Sequence, residues 1–198
     1  MKIGLNLNSS NINFQKRLVA NCSFQKGGQT VPAKVYEFDS DDKDDIRYFN
    51  SLPMSNDWAR NNFLIDVASD LQVGVGSRIY ALEDENNRCL AVAEVEDRTK
   101  DSSDLVFIET APSVAWEMYD RNIKYVGETM LATLVKLAKK DKKKQFNVID
   151  PTPYALRFYL KYGFREDVFS EDITIKNSQF EDLIKTNETH TSKIELIG

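Results

Sequence analysis

Residues 154–164, YALRFYLKYGF, place three tyrosines and two phenylalanines in eleven positions, and a glycine stands before the last of them. Thr152 is a candidate N-cap just upstream, and Pro153 suits the first position of a helix. Gly163 suits the residue that follows a helix, where the backbone turns left-handed. A helical period puts four side chains on one face of this helix, namely Ala155, Phe158, Tyr159 and Tyr162. We therefore predict a helix that docks an aromatic face on a core and ends at Gly163.

A longer helix is predicted upstream, from Gly127 onward. Its apolar residues recur at helical spacing and are Met130, Leu131, Leu134, Leu137 and Ala138. The lysine-rich end, AKKDKKK (138–144), suits the negative end of the helix dipole. We interpret this lysine run as a solvated helix end, and a contact with a ligand phosphate is the alternative. The apolar segment FNVID (146–150) then predicts a short buried strand between the two helices.

The first half of the chain is rich in strand patterns. RLVANCSF (17–24) and VPAKVYEF (31–38) flank Gly27-Gly28 and predict a hairpin. Three further strands are predicted in SRIYALED (77–84), CLAVAEVED (89–97) and DLVFIETAP (104–112). After Phe164, strand patterns in DITIK (172–176) and SKIELI (192–197) enclose a small helix in QFEDLIK (179–185). This order predicts an α/β fold with a mixed sheet whose parallel strand pair brackets the long helix.

Two more helices are predicted between the hairpin and the next strands, within residues 39–53 and 57–71. The first begins in a run with five aspartates in the seven positions 39–45. We interpret this run as a solvated helix start, and a cation site is the alternative.

Length and charge restrict the class of protein. The 198-residue chain fits one domain with an extra arm, and we assign residues 1–32 to the arm and residues 33–198 to the domain. A net charge of −5 argues against the basic face of a nucleic-acid-binding protein. No apolar run reaches the ~18 residues that a membrane span needs. The N-terminal residues lack the apolar stretch of a signal peptide, so we expect a cytoplasmic protein.

Histidine and cysteine are scarce. His190 is the only histidine and stands in the polar stretch TNETHTS (186–192), which excludes a histidine-rich metal site and argues against a Ser-His or Cys-His nucleophile. Cys22 and Cys89 form no CxxC pair, and we predict two reduced packing residues rather than a disulfide. We expect a site without a metal.

The element order also predicts a crevice. In an open sheet, a crevice forms where neighbouring strands diverge at their carboxyl ends. Glu109 and Thr110 stand near the end of one such strand, Asp150 stands at the end of the other, and Tyr159 would overhang the crevice from the next helix. The start of the long helix, at Gly127, offers unpaired N–H groups to an anion such as a pyrophosphate.

The C-terminal half resembles the GNAT superfamily of N-acetyltransferases over about residues 75–165. VGETMLATLVKLA (126–138) is similar to the family's pyrophosphate-loop motif and the helix after it. ALRFYLKYGF (155–164) is similar to a later motif, with matches at Ala155, Phe158, Tyr159, Lys161, Gly163 and Phe164. The resemblance implies a mostly antiparallel, twisted sheet with a central parallel strand pair splayed around an acyl-CoA cleft, and helices on both faces.

The pyrophosphate loop departs from the family pattern, (Gln or Arg)-x-x-Gly-x-(Gly or Ala). Anchored on Gly127, this chain has Asn122 at the leading position and Tyr125 in place of the first glycine. Glycine there lets the backbone approach a phosphate closely, and a tyrosine can force a wider path. A two-residue deletion before Val126 would also explain the mismatch. The resemblance implies that acetyl-CoA is bound by Ile108, Thr110, Asn122, Ile123, Lys124, Tyr125, Val126, Gly127 and Glu128.

The segment from Pro112 to Asn122 is longer than the usual link of the family and carries Trp116, Met118 and Tyr119. We interpret it as a wall of the acceptor pocket, and simple packing is an equal alternative.

The resemblance implies transfer of an acetyl group from acetyl-CoA to an amine, in a small molecule or in a protein or peptide, by direct attack in a ternary complex. Family position makes Tyr159 the proton donor to the leaving thiolate, and Glu109 is our candidate base, directly or through water. Backbone amides from Ile108 to Thr110 would face the thioester. Packing alone is the alternative for Tyr159, and a plain strand-end charge is the alternative for Glu109.

Two other functions are open at this point. A catalytically inactive GNAT-like module would bind a ligand or a protein partner, and Tyr125 in the glycine position supports it. A structural or interaction protein built on the N-terminal hairpin is the weaker alternative. For the enzyme we expect an amine substrate, no nucleic-acid or membrane partner, and a monomer or homodimer.

Overall fold

The computed structural model describes residues 16–38, 45, 47, 77–111, 114, 122–167 and 170–198. The helices predicted within 39–53 and 57–71, and most of the acidic run, lie outside these residues. Trp116, Met118 and Tyr119, with the pocket wall assigned to them, also lie outside. Among the described residues, no helix has the length and apolar character needed to cross a bilayer.

Ten strands of the described ranges form one sheet. Their bounds are β1 Arg17–Lys26, β2 Gln29–Phe38, β3 Arg78–Asp84, β4 Cys89–Thr99, β5 Ser102–Thr110, β6 Ile123–Lys124, β7 Gln145–Val148, β8 Arg165–Glu166, β9 Ile173–Lys176 and β10 Glu195–Leu196. The order across the sheet is β10-β1-β2-β3-β4-β5-β7-β9-β8, and β6 pairs with β1. β5 and β7 are parallel, and the other neighbours in these ranges are antiparallel. The predicted mixed sheet with a central parallel pair is confirmed.

The first two strands form the predicted hairpin. Gly27 and Gly28 have φ angles of 59° and 78°, which glycine adopts without steric cost and which suit the twist of a two-residue hairpin turn. β1 also pairs with β6 and β10, and its apolar side chains, such as Phe24, are buried in the main core. The predicted division between residues 1–32 and 33–198 falls inside β2 and stays a prediction.

Three helices are described, α1 Val126–Lys140, α2 Pro153–Lys161 and α3 Asn177–Glu188. All three share one large apolar core with the sheet, so they cover the same face of it. α1 packs on this face through its apolar stripe, because Met130, Leu131 and Leu134 on that stripe are buried. The sequence predicted these three helices and the stripe.

The other face of the sheet carries a smaller apolar cluster that includes Phe38, Ile79 and Val92. The helices predicted before β3 lie outside the described residues, so helices on this second face of the sheet stay a prediction. Cys89 belongs to this cluster and Cys22 to the main core, and no disulfide joins them, as predicted.

Local sequence closes both ends of α2. Thr152 is the N-cap, and its hydroxyl accepts a hydrogen bond from the Ala155 N–H at 3.4 Å. At the other end Gly163 has a φ angle of 89°, and the Phe164 N–H donates to the Tyr159 C=O at 3.3 Å. This is a Schellman motif, which the aromatic contact between Phe164 and Tyr159 completes.

β5 and β7 separate at their carboxyl ends. They pair over residues 102–105 and 145–148, and the last hydrogen bond runs from the Ile149 N–H to the Leu105 C=O at 3.0 Å. Beyond it β5 continues to Thr110, whereas the chain after β7 leaves the sheet for α2. The divergence opens the crevice that the sequence predicted.

Candidate active site

A cavity of about 320 Å³ occupies this crevice, between the end of β5, the start of α1 and the first turns of α2. It is lined by Ile108, Thr110, Val114, Ile123, Lys124, Tyr125, Val126, Gly127, Glu128, Ala155, Phe158 and Tyr159. Of the residues predicted to bind acetyl-CoA, only Asn122 is missing from this lining. The Asn122 C=O instead accepts the Gly27 N–H at 2.9 Å and ties the chain to the hairpin turn.

The start of α1 presents backbone N–H groups to the cavity. Tyr125 is the N-cap residue, and its side chain makes no capping hydrogen bond. The Tyr125 C=O accepts the N–H of Thr129 at 2.9 Å, which is the first bond of the helix ladder. The three intervening amides, of residues 126–128, have no acceptor among the described residues, and all three residues line the cavity. Together with the helix dipole these amides form a site for a negatively charged group.

Tyr125 turns the chain into α1 through a left-handed backbone, with φ 67° and ψ 16°. That conformation costs a residue other than glycine about 1–2 kcal/mol. The Tyr125 ring stacks on the imidazole of His190, with ring centroids 4.7 Å apart and planes within 6° of parallel. An aromatic pair contributes about 0.5–1.5 kcal/mol, which is of the same order as the backbone cost. The sequence showed that Tyr125 departs from the pyrophosphate-loop pattern. Nothing in the sequence indicated that Tyr125 contacts His190.

Two amides of β5 face the same crevice. The Ala111 N–H donates to the Leu90 C=O at 2.8 Å, and in an antiparallel ladder every second residue directs its N–H and C=O to the partner strand. The register with β4 therefore turns the amides of Ile108 and Thr110 away from β4 and toward the space that β7 has left. These amides lie where the resemblance expects an acyl thioester.

Tyr159 is held by packing and lines the cavity. Its side chain is 4% exposed and meets Phe158 and Phe164 edge-on, with ring centroids 5.1 and 5.6 Å away. Burial raises the pKa of Tyr159 to about 12, so the phenol keeps its proton at neutral pH. Its hydroxyl makes no hydrogen bond with any part of the chain that the structure describes. A neutral donor without a partner is therefore available to a molecule in the cavity.

Glu109 lies on the opposite face of the sheet. Side chains alternate along a strand, and Ile108 and Thr110 face the cavity, so Glu109 points to the side where Phe107 packs in the smaller cluster. Contrary to expectation, Glu109 does not share the crevice with Thr110 and Tyr159. Burial raises the pKa of Glu109 to about 7, so its carboxyl group titrates near neutral pH.

Two other predicted features lie away from the cavity. Asp150 is a turn residue with a φ angle of 41°, and its N–H donates to the Asp172 carboxylate at 3.2 Å. The lysine run 138–144 lies at the far end of α1, about 20 Å along the axis from the free amides. Lys144 in this run pairs with Asp101 at 2.8 Å. Lys143 is buried, and its ammonium group lies 3.2 Å from the Asp97 carboxylate. The other lysines of the run are exposed, as predicted for a solvated helix end, and a phosphate in this cavity is out of their reach.

Three cavity residues were missed as site residues. Ala155 and Phe158 were assigned to packing alone, yet they stand on the face of α2 that also carries Tyr159 and line the cavity beside it. The helical period that grouped them with Tyr159 could have identified them. Val114 had no comparable signal, because it stands after β5 and outside both motifs.

Solved structures similar to this chain include GNAT acetyltransferases. A point variant of the AtaT toxin, bound to the C-terminus of the antitoxin AtaR and to acetyl-CoA, is 16% identical over 77% of this chain and 98% of that chain, with a TM-score of 0.52. A point variant of spermidine N-acetyltransferase SpeG from Vibrio cholerae is 12% identical over 75% and 95%, with a TM-score of 0.50. A dodecameric structure of the Vibrio cholerae enzyme is similar to the same extent, with a TM-score of 0.50.

No protein-family model matches the sequence, and no curated protein matches it. At these sequence identities the structural similarity establishes the fold, which is the GNAT fold that the motifs predicted.

Proposed function

We propose that this chain is an N-acyltransferase that transfers the acetyl group of acetyl-CoA to an amine. One cavity combines the free amides of residues 126–128, the outward amides of Ile108 and Thr110, and the phenol of Tyr159. This combination is the observation that carries the proposal. Amides at a helix start suit a diphosphate, and amides along a strand edge suit an extended chain with amide groups of its own. Coenzyme A contains both parts.

The residues of the cavity fit such a ligand. Residues 126–128 would hold the diphosphate, and the exposed Lys124 would add a positive charge at the mouth. Gly127 leaves the gap between α1 and β5 free of a side chain. The thioester supplies an activated acetyl group and a thiolate leaving group. The amide of Ile108 or Thr110 would stabilise the negative charge that develops on the carbonyl oxygen, a contribution of about 3–4 kcal/mol.

Two side chains would handle protons on opposite sides of the reacting group. As the amine nitrogen bonds to the carbonyl carbon and the C–S bond breaks, Tyr159 would donate its proton to the departing sulfur from within the cavity, which releases coenzyme A as the free thiol. Glu109 would accept the proton of the attacking amine, and its pKa of about 7 suits a base that works near neutral pH. Because Glu109 faces the other side of β5, the amine would approach from that side of the sheet. Proton transfer of this kind contributes about 10²–10⁴-fold.

The acceptor, the assembly and the location stay at the level of prediction. The similar SpeG protein is a spermidine N-acetyltransferase, so spermidine is the first amine to try, before other small amines and peptide amines. We expect a monomer or homodimer, and the dodecameric SpeG makes light scattering after gel filtration the necessary check. We likewise expect a cytoplasmic protein without metal, nucleic-acid or membrane partners.

Release of free thiol from acetyl-CoA in the presence of each amine tests the proposal. Tyr159→Phe keeps the packed ring and removes the hydroxyl, so we expect kcat to fall by about 10²–10⁴-fold. Tyr154→Phe is the matched control, because it makes the same change on α2 at a side chain that is 96% exposed. Absence of thiol release with every amine would overturn the proposal. Wild-type turnover by Tyr159→Phe would remove Tyr159 from the mechanism.

A GNAT-shaped module that binds without catalysis is the second candidate. The position of Tyr125 supports it, and so does Glu128, whose carboxylate stands in the first turn of α1 and opposes an anion there. Calorimetry separates the two functions. Acetyl-CoA binding together with thiol release supports the enzyme, whereas no acetyl-CoA binding at about millimolar concentration supports the module.

A further inference from the structure

We propose that His190 is a positioning residue for the start of α1, and this role rests on the acetyl-CoA binding proposed above. The imidazole lies flat on the Tyr125 ring, with centroids 4.7 Å apart. Tyr125 is the N-cap residue whose left-handed backbone leads directly into the free amides of residues 126–128. His190 itself is not among the described residues that line the cavity. It therefore acts through Tyr125 and not by touching the ligand.

Hydrogen bonds fix the backbone of His190 beside the approach to α1. Its N–H donates to the Asn187 C=O at 2.9 Å, and its C=O accepts a hydrogen bond from the Gln25 side chain at 2.6 Å. Gln25 also stands opposite Lys124 in the pairing of β1 with β6. One residue of β1 thus holds both the turn that carries His190 and the strand that immediately precedes Tyr125.

A buried polar network also holds together the elements that carry His190 and Tyr125. The Asn187 side chain is 1% exposed and donates to the Thr129 hydroxyl at 3.2 Å. That hydroxyl donates in turn to the Ser23 C=O at 2.9 Å. The network joins the end of α3, the first turn of α1 and β1, and buried polar groups that are satisfied in this way allow little freedom of position. The network fixes the end of α3, and the exposed His190 side chain reaches Tyr125 from the turn that follows.

The stack matters because the left-handed backbone conformation is not the one of lowest energy for a tyrosine. The extended conformation is lower in energy. In the extended region Tyr125 would lose the left-handed strain, and the amides after it would no longer begin the helix at the same point. The flat contact with His190 favours the left-handed form. If the stack is lost, a smaller fraction of molecules has a binding-competent helix start, and the observed affinity falls in proportion to that fraction.

Calorimetric titration with acetyl-CoA tests the role through a double-mutant cycle. His190→Ala should weaken binding by about three- to tenfold, the range expected for an aromatic pair. His190→Phe restores a flat ring and should bind within about twofold of the wild type. In a Tyr125→Gly background there is no ring to hold, so His190→Ala should have no further effect. Lys193→Ala, an exposed change in the same segment, is the control and should bind like the wild type.

Steady-state kinetics complete the test. His190→Ala should raise KM for acetyl-CoA and leave kcat within about twofold, a split that general destabilisation would not produce. The positioning role is overturned if His190→Ala binds like the wild type, if His190→Phe does not restore binding, or if His190→Ala weakens the Tyr125→Gly variant equally. A wild type that does not bind acetyl-CoA would overturn the proposed function, and this role with it. The two failures are thus distinguishable.

Discussion

The helices α1 and α2 begin in opposite ways. At the start of α2 the Thr152 hydroxyl accepts the Ala155 N–H, and Pro153 has no N–H to satisfy. At the start of α1 the Tyr125 side chain caps nothing, and three amides face a cavity. A capping side chain is worth about 0.5–2 kcal/mol, and α1 forgoes it. The uncapped start of α1 lies where β5 and β7 diverge, and a ligand there can supply the missing acceptor. We call it the open start, and we call the capped start of α2 the closed start.

The largest effect is expected from removing the candidate base, and it tests whether the cavity at the open start serves catalysis or binding alone. Glu109→Gln removes the candidate base, so we expect kcat to fall by about 10²-fold or more while the Kd for acetyl-CoA stays within about twofold. The pKa of Glu109 is raised to about 7, so the carboxylate that acts as base forms as the pH rises through that value. The wild-type rate should therefore increase from pH 6 to pH 8, and the variant should lose this dependence.

Steady-state rates between pH 5.5 and 9 check this prediction. Glu85→Gln, the same change in an exposed turn, is the control and should keep the wild-type profile. A Glu109→Gln variant with an unchanged rate and profile would assign the proton transfer to another group.

A smaller effect is expected when the open start is closed by a charge. In Gly127→Asp the new Cβ would stand 3.5 Å from Thr110 Cγ2, an ordinary contact, and the carboxylate would lie beside the free amides. We expect the free energy of unfolding to rise by about 0.3–1 kcal/mol through the helix dipole. Acetyl-CoA affinity should fall by at least about tenfold, because the carboxylate repels the diphosphate and occupies its place.

Thermal unfolding and calorimetry on the same samples measure the two quantities. Gly127→Ala is the uncharged control and should lose less affinity than Gly127→Asp. An open anion site predicts that Gly127→Asp raises the free energy of unfolding and lowers the affinity for acetyl-CoA. An Asp variant with wild-type affinity would mean that these amides do not bind the diphosphate.

The smallest effect belongs to the closed start. Thr152→Ala removes the capping hydroxyl, and because its hydrogen bond is long, 3.4 Å, we expect a loss of only about 0.5–1 kcal/mol of stability. Acetyl-CoA affinity should stay within about twofold. Chemical denaturation and calorimetry check both numbers. A large loss of affinity would show that this cap also shapes the cavity.

The elements that could be predicted are those whose signals are local. The cap at Thr152, the aromatic spacing in α2 and the turn at Gly163 lie within a dozen residues, and the motif match added the GNAT fold. The stripe of α1 is equally local. For the same reason the predicted binding residues around Gly127 do line the cavity, because they form one continuous turn.

The rest depends on contacts between distant segments. β6 and β8 have two residues each, too few for any period to show. Nothing in the polar stretch around His190 indicates a ring stacked on Tyr125, since the two residues meet only after α3 has packed on α1. The prediction that Glu109 lines the crevice was wrong for a different reason. Strand alternation alone separates its side chain from Thr110, and the prediction that both line one crevice overlooked this.

Amide hydrogen exchange, with and without acetyl-CoA, tests most directly whether the start of α1 binds the diphosphate. The amides of Gly127 and Glu128 should exchange at least about tenfold more slowly when acetyl-CoA is bound, because they gain an acceptor. The Ala155 amide, already bonded at the closed start, should change little, and pantetheine, which lacks phosphate, should protect neither start. Equal exchange at Gly127 and Glu128 with and without saturating acetyl-CoA would contradict the binding site proposed here.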